Sequence, residues 1–266
     1  MNILRSFLLV GLVSGFSPLW GDDGPAVRII KGPYVQNVTN SSVVVMWESQ
    51  VPTDTQVEYG VSSPAEWLVQ NTASVTNHEI ILSNLASNTR YVYAIRSGDT
   101  QSATNSFITA PDGENVPFRF VAYGDTRTRV AKHAAVAESV VRSDPDFILH
   151  VGDYAANGRV YAEWGPQFFT AASDMLIRAP LFPVLGDHEF SGSGKSYHYD
   201  FFNVPTNEVS GYGVHFYAFT YGCARFIALS ACEGGCDPFT PGSAQHNWLL
   251  PRRPRSWTST WLNLRR

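Results

Sequence analysis

The chain has 266 residues, 44% of them hydrophobic and 16% charged, which is the composition of an ordinary globular protein with length enough for two domains. Its formal net charge of −4 supplies no basic face, so a nucleic-acid partner is not expected.

The N-terminus, MNILRSFLLVGLVSGFSPLWG, places Arg5 before an apolar stretch and then small and turn-forming residues. That is the layout of a secretory signal peptide over residues 1–21, and it is short for a membrane span. The reading is of a secreted or periplasmic protein, with no membrane contact beyond this leader or an uncleaved anchor.

Residues 27–110 read as short strands between turns: SSVVVMWES, TQVEYG, HEIILSNL and TRYVYAIRSG. Tyr91, Tyr93 and Ile95 alternate with polar or small neighbours, and Gly, Ser, Asn and Pro punctuate the gaps. This is the pattern of an all-β sandwich. APDGENVP is a polar linker.

After the linker the rhythm changes. FRFVAYG, PDFILHVG and APLFPVLG are apolar strands. Helices are predicted over TRVAKHAAVAESVVRSD and YAEWGPQFFTAASDMLI. Alternating strands and helices imply a parallel sheet with right-handed crossovers.

Each of the three strands runs into a Gly-Asp turn, at Asp125, Asp153 and Asp187. The carboxyl ends of parallel strands face one crevice, so the three carboxylates converge. Converging carboxylates repel one another, and hard divalent or trivalent cations satisfy them.

The segments GPYVQNVTNSSVVVMWES, VEYG, LSNLASNTRYVYAIRSG and SFITAP resemble the fibronectin type III-like domain of purple acid phosphatase-like proteins. The resemblance makes Trp47 the core tryptophan, pairs Leu85 with Tyr91 at a corner, and leaves His78 a strand residue without chemistry. The three Gly-Asp turns, the last extended to Gly-Asp-His-Glu, resemble the calcineurin-like metallophosphoesterase superfamily. The expected fold is therefore an all-β fibronectin III-like sandwich followed by an α/β metallophosphoesterase domain (four layers, α/β/β/α) over residues 118–250.

By that resemblance Asp125 ligates a first metal, Asp153 bridges two, and Asp187 stands where the family usually has Asn on the second. His188 faces the phosphate and protonates the leaving oxygen. Arg127 contacts phosphate oxygens or forms a surface ion pair, and Asn157 faces substrate or supports the site. Glu189 orients its loop by hydrogen bonding. Two divalent or trivalent ions, among iron, manganese and zinc, are implied, with a small phosphate ester as substrate. Ala156 replaces the tyrosine ligand of purple centres and Tyr154 points elsewhere, so a purple iron–tyrosinate site is not expected.

The family's downstream histidine motifs are missing. His198 lies in an aromatic loop that can border a substrate pocket, His215 in a predicted strand, and His246 at a helix start. The tail at residues 251–266, PRRPRSWTSTWLNLRR, is basic and does not continue that helix. The change of composition predicts a lost frame or a truncation near Leu250, leaving the second sheet incomplete, with an apolar face and sheet edges exposed. Among Cys223, Cys232 and Cys236 one pair can bridge in an oxidising compartment, and a structural zinc is disfavoured because no fourth soft ligand lies nearby.

Three functional readings follow. The first is a phosphoric ester hydrolase of acid phosphatase type with a dinuclear metal centre. The second is a catalytically incompetent homologue acting as a binding module outside the cytoplasm. The third is a sugar- or matrix-binding sandwich with an unrelated partner domain, which leaves the three acidic turns unexplained.

Overall fold

The computed structural model describes residues 27–113, 115–190, 196–230 and 237–252. The predicted leader, Cys232, Cys236 and residues 253–266 of the basic tail lie outside them.

The first half is a sandwich of β1 (Ile29–Gln36), β2 (Ser42–Gly60), β3 (Trp67–Ser83), β4 (Arg90–Ser97), β5 (Thr100–Gln101) and β6 (Asn105–Ile108). Strand β2 pairs antiparallel with β1 through its first part, with β4 through its last part, and with β3 along its length. Its register against β3 breaks between Glu48 and Thr55. In β3, His78, Ile80 and Leu82 are buried while Glu79, Ile81 and Ser83 are exposed, the period-2 alternation of a half-buried strand. Trp47 is buried and donates from Nε1 to Ser97 Oγ at 2.7 Å. The Tyr91 hydroxyl accepts from the Ala86 amide at 2.9 Å, which closes the predicted corner beside Leu85. His78 stacks on Trp47 with ring centroids 4.8 Å apart and is held by Ser49 and Thr55, both at 2.7 Å.

The second half begins with three parallel strands, β7 (Phe120–Tyr123), β8 (Phe147–His150) and β9 (Leu181–Pro183), with β8 in the middle. Helix α1 (Val130–Ser143) links β7 to β8. It ends at Asp144, whose φ of 46° is left-handed. The second predicted helix is broken into α2 (Tyr161–Trp164), a π-helical turn at Gly165–Phe169 and α3 (Ser173–Leu176). Pro166 lacks the amide hydrogen that a continuous α-helix would use. The turn also lets the consecutive rings of Phe168 and Phe169 both be buried. Two single-turn helices follow, α4 (Asp187–Phe190) and α5 (His198–Phe201). A hairpin of β10 (Tyr217–Tyr221) and β11 (Ala224–Ala228) comes next, and then α6 (Ala244–Leu249), capped by Ser243. His215 precedes β10 instead of lying within it, a correction to the predicted strand. After α6, Leu250–Arg252 form a 3-10 turn. Cys223, at the hairpin turn, is exposed and unbridged.

Strand pleating sorts the core. Ile148 and Leu181 face a cluster with Ala137 and Val140 of α1 and with Phe168 and Phe169. Phe147 and Phe182 face the hairpin, where Phe182 stacks on Phe219 at 3.6 Å. The sandwich is not a separate bead: β1 pairs with β9 in parallel at Gln36 and Leu181, continuing one sheet across both halves. No helix among the described residues is long and apolar enough to cross a membrane.

Candidate metal centre

The carboxyl ends of β7, β8 and β9 lie side by side, and the three predicted turns leave from them. Backbone bonds set their spacing. The Val151 amide donates to Tyr123 O at 2.9 Å, Asp125 N to Gly152 O at 3.0 Å, and Val184 N to His150 O at 2.8 Å. The turns touch through their glycines. A Cβ on Gly152 would lie 2.4 Å from Gly186 N, and one on Gly186 would lie 2.0 Å from Asp153 Oδ1. Only glycine permits that approach. Asp125 and Asp153 themselves adopt left-handed conformations, with φ of 58° and 63°, which non-glycine residues seldom hold outside sites that constrain them.

Asp153 is fully buried. With Asp187 and His188 it forms a group whose ligand atoms all lie within 4.8 Å of one another. His188 Nε2 is 4.0 Å from Asp153 Oδ2 and 3.9 Å from Asp187 Oδ2. Its Nδ1 contacts the Ala156 carbonyl, which only accepts, so Nδ1 carries the hydrogen in this arrangement. Asp125 stands outside that group, with an exposed side chain. Arg127 joins it to the centre, because one guanidinium nitrogen, Nη1, contacts both Asp125 and Asp153. The predicted alternative of an ion pair thus describes Arg127 here, although its partners belong to the site.

Glu189 is buried and accepts from three backbone amides, Asp153 N and Gly186 N at 2.8 Å and Tyr154 N at 3.1 Å. The bond from Gly186 N orients its own loop, as expected, and those from Asp153 N and Tyr154 N also tie that loop to a second acidic turn. Burial pushes its carboxyl up to about 7, and the Asp153 charge adds to the rise while the three amides oppose it. Asn157 makes a local turn, its Oδ1 accepting from Arg159 N at 2.9 Å. Tyr154 points away from the crevice and donates to Val184 O and His150 O at 3.0 and 3.2 Å.

None of the three downstream histidines joins the centre. His198 is buried against Phe202 and Tyr154, and burial, aided by His215, lowers its pKa to about 3. His215 bonds Asp237 at 2.9 Å and Tyr199 at 2.8 Å. His246 Nδ1 accepts from Gly242 N at 3.3 Å. Two residues not singled out in the sequence, Glu163 and Gln167, do reach the site loops. Glu163 accepts from Asn157 N and Gln167 from Ala156 N, both at 2.7 Å. Their i,i+4 spacing was visible, but within a predicted continuous helix it reads as an ordinary surface pair.

A donor set of carboxylate oxygens and one imidazole suits manganese, iron or zinc. The buried Asp153 carboxylate already leans on a cation supplied by the chain itself, so its surroundings fit a divalent ion. The fold and this donor set make the ends of β7, β8 and β9 a candidate metal site on an α/β domain. The chain belongs to the calcineurin-like phosphoesterase family, whose model matches residues 118–257, and the model of the purple acid phosphatase N-terminal domain matches residues 33–109. No curated protein matches the sequence. The solved structure of PhoD is similar with a TM-score of 0.55 and 16% identity, over 73% of this chain and 50% of that one. The chain thus spans half the length of that structure. The fn3 domain of human contactin 1 matches at 20% identity over 39% of this chain and 99% of that one, with a TM-score of 0.26. The sensor domain of the anti-sigma factor RsgI4 from Pseudobacteroides cellulosolvens matches at 14% identity over 33% of this chain and 97% of that one, with a TM-score of 0.28.

Proposed function

We propose that the chain is an exported phosphoric ester hydrolase of acid phosphatase type, working with two metal ions at the ends of β7, β8 and β9. The observation that carries this reading is the grouping of Asp153, Asp187 and His188 within 4.8 Å in a chain of the calcineurin-like phosphoesterase family. Asp125 and Asp187 would each hold one ion and Asp153 both. Ions bound there supply positive charge to the phosphate ester and acidify an attacking water. His188 donates a proton to the leaving oxygen from Nε2, while Ala156 O keeps the ring oriented through Nδ1. Arg127 serves phosphate oxygens, for which a planar guanidinium is well shaped. The Asn157 carbonyl is engaged locally, so its amide hydrogens are the part that can face substrate.

A second reading, a catalytically incompetent homologue that binds through its sandwich, is favoured by two observations. Arg127 satisfies Asp125 and Asp153 together, and His198, His215 and His246 lie in other contacts. The test is hydrolysis of p-nitrophenyl phosphate and its bis-ester with added Mn²⁺, Zn²⁺ or Fe²⁺, beside Asp153→Asn. Metal-dependent turnover that the substitution abolishes supports the hydrolase. A folded, soluble chain without turnover supports the incompetent homologue.

A further inference from the structure

The π-helical turn that interrupts the predicted helix places one polar side chain between two site loops. Gln167 lies in it, between Pro166 and the buried pair Phe168 and Phe169. Its Oε1 accepts from Ala156 N at 2.7 Å and from Thr128 N at 3.3 Å. Ala156 belongs to the loop after Asp153, and Thr128 to the loop after Asp125. Its Nε2 donates to Glu163 Oε2 at 3.4 Å, and that same oxygen accepts from Asn157 N at 2.7 Å. The Gln167 carbonyl accepts from His133 Nδ1 at 2.9 Å, which anchors the turn to α1. π turns are rare and recur at functional sites.

We infer that Gln167 is a positioning residue of the metal centre. It fixes the separation of the loops that carry Asp125 and Asp153 and, through the Ala156 peptide, the orientation of His188. The path is short. Gln167 Oε1 holds the Ala156 amide, and the Ala156 carbonyl takes the hydrogen of His188 Nδ1, which turns Nε2 toward Asp153 and Asp187. Glu163 completes the clamp, so that the amides of Ala156, Asn157 and Thr128 are all held from one segment. Partners behind a ligand shell commonly tune metal affinity by 10- to 100-fold. The inference rests on the metal-centre reading for its consequence but not for its geometry.

The experiment compares the wild-type chain with Gln167→Met, which keeps length and loses the acceptor. It includes the exchanged pair Gln167→Glu with Glu163→Gln, which keeps the acceptor for Ala156 N and Thr128 N and a bond between the two side chains, and gives up only the acceptor for Asn157 N. Mn²⁺ affinity is read by titration calorimetry, the His188 tautomer by ¹⁵N NMR without metal, and kcat and KM on p-nitrophenyl phosphate. Gln167→Met is expected to weaken Mn²⁺ binding by about tenfold, to lower kcat more than KM, and to shift His188 from the Nδ1–H tautomer. The exchanged pair should restore all three to within about threefold. Unchanged Mn²⁺ affinity and tautomer in folded Gln167→Met overturn the inference, as does an exchanged pair no better than the single variant. If the wild type neither binds Mn²⁺ nor turns over, the hydrolase reading fails, and the tautomer alone decides the positioning role.

Discussion

Arg127 and Glu189 place opposite demands on the acidic turns. Arg127 lies against two carboxylates that a metal ion would also use. Arg127→Gln is therefore expected to tighten Mn²⁺ binding in a calorimetric titration while raising KM for a phosphate ester. A loss of Mn²⁺ affinity would show that the guanidinium organises the carboxylates and does not compete for them. Glu189 works on the backbone. Glu189→Ala leaves three buried amides without their acceptor. A buried unpaired group costs about 1–3 kcal/mol, so a loss on the order of 3 kcal/mol or more is expected in urea unfolding, with Glu189→Gln milder because one acceptor oxygen remains. A shift below about 0.5 kcal/mol would mean that solvent replaces the carboxylate. At this scale the acidic turns were legible, since an apolar run, Gly and Asp follow one another three times. Gln167 was not, because its partners lie in loops 11 and 39 positions away in the chain. The burial of His198 was not legible either, because ring packing with Tyr154 and Phe202, which has no local signature, decides where it goes.

At the scale of elements, the sheet ends place the site by backbone contact between turns. Gly152, with φ 98° and no room for a Cβ, is the sharpest point of that contact. Gly152→Ala is expected to destabilise the chain by about 2 kcal/mol or more and to weaken Mn²⁺ binding together with stability, because it pushes the Asp153 and Asp187 turns apart. A melting temperature within a degree of wild type would contradict that close approach. Strand and α1 positions followed from apolar runs and helical spacing. The broken helix did not, because Pro166 and the burial of two adjacent rings override the helical period only in the presence of α1 and the sheet.

Across the whole molecule, sandwich and α/β half are joined by buried polar contacts as well as by β1 and β9. Lys31 and Glu48 of the sandwich form a buried ion pair, and both bond the Tyr161 hydroxyl of α2. Tyr34 and Gln36 bond the Phe201 carbonyl at 2.9 and 3.1 Å. One cooperative calorimetric transition is expected, and two resolved transitions would show that the halves unfold independently. Stability should also fall with acidity, because two buried histidines outweigh Glu189, whose raised carboxyl pKa acts in the opposite sense. Burial keeps His78 neutral down to about pH 4 and His198 to about pH 3. Unfolded imidazoles take up protons near pH 6.5, so between these values the unfolded chain binds more protons and stability rises with pH. Melting temperature should therefore drop from pH 7 to pH 5, and less steeply in His198→Phe. Equal slopes would mean that His198 protonates without unfolding.

In this reading of the site Asp153 and Asp187 hold a metal ion, with His188 beside it. Anomalous diffraction at the zinc edge from crystals soaked in Zn²⁺ tests it most directly. A peak is expected about 2.0–2.2 Å from an oxygen of Asp153 and an oxygen of Asp187, with His188 Nε2 beside the ion but outside bonding distance. A crystal in which zinc binds elsewhere, with Arg127 still spanning Asp125 and Asp153, would contradict it.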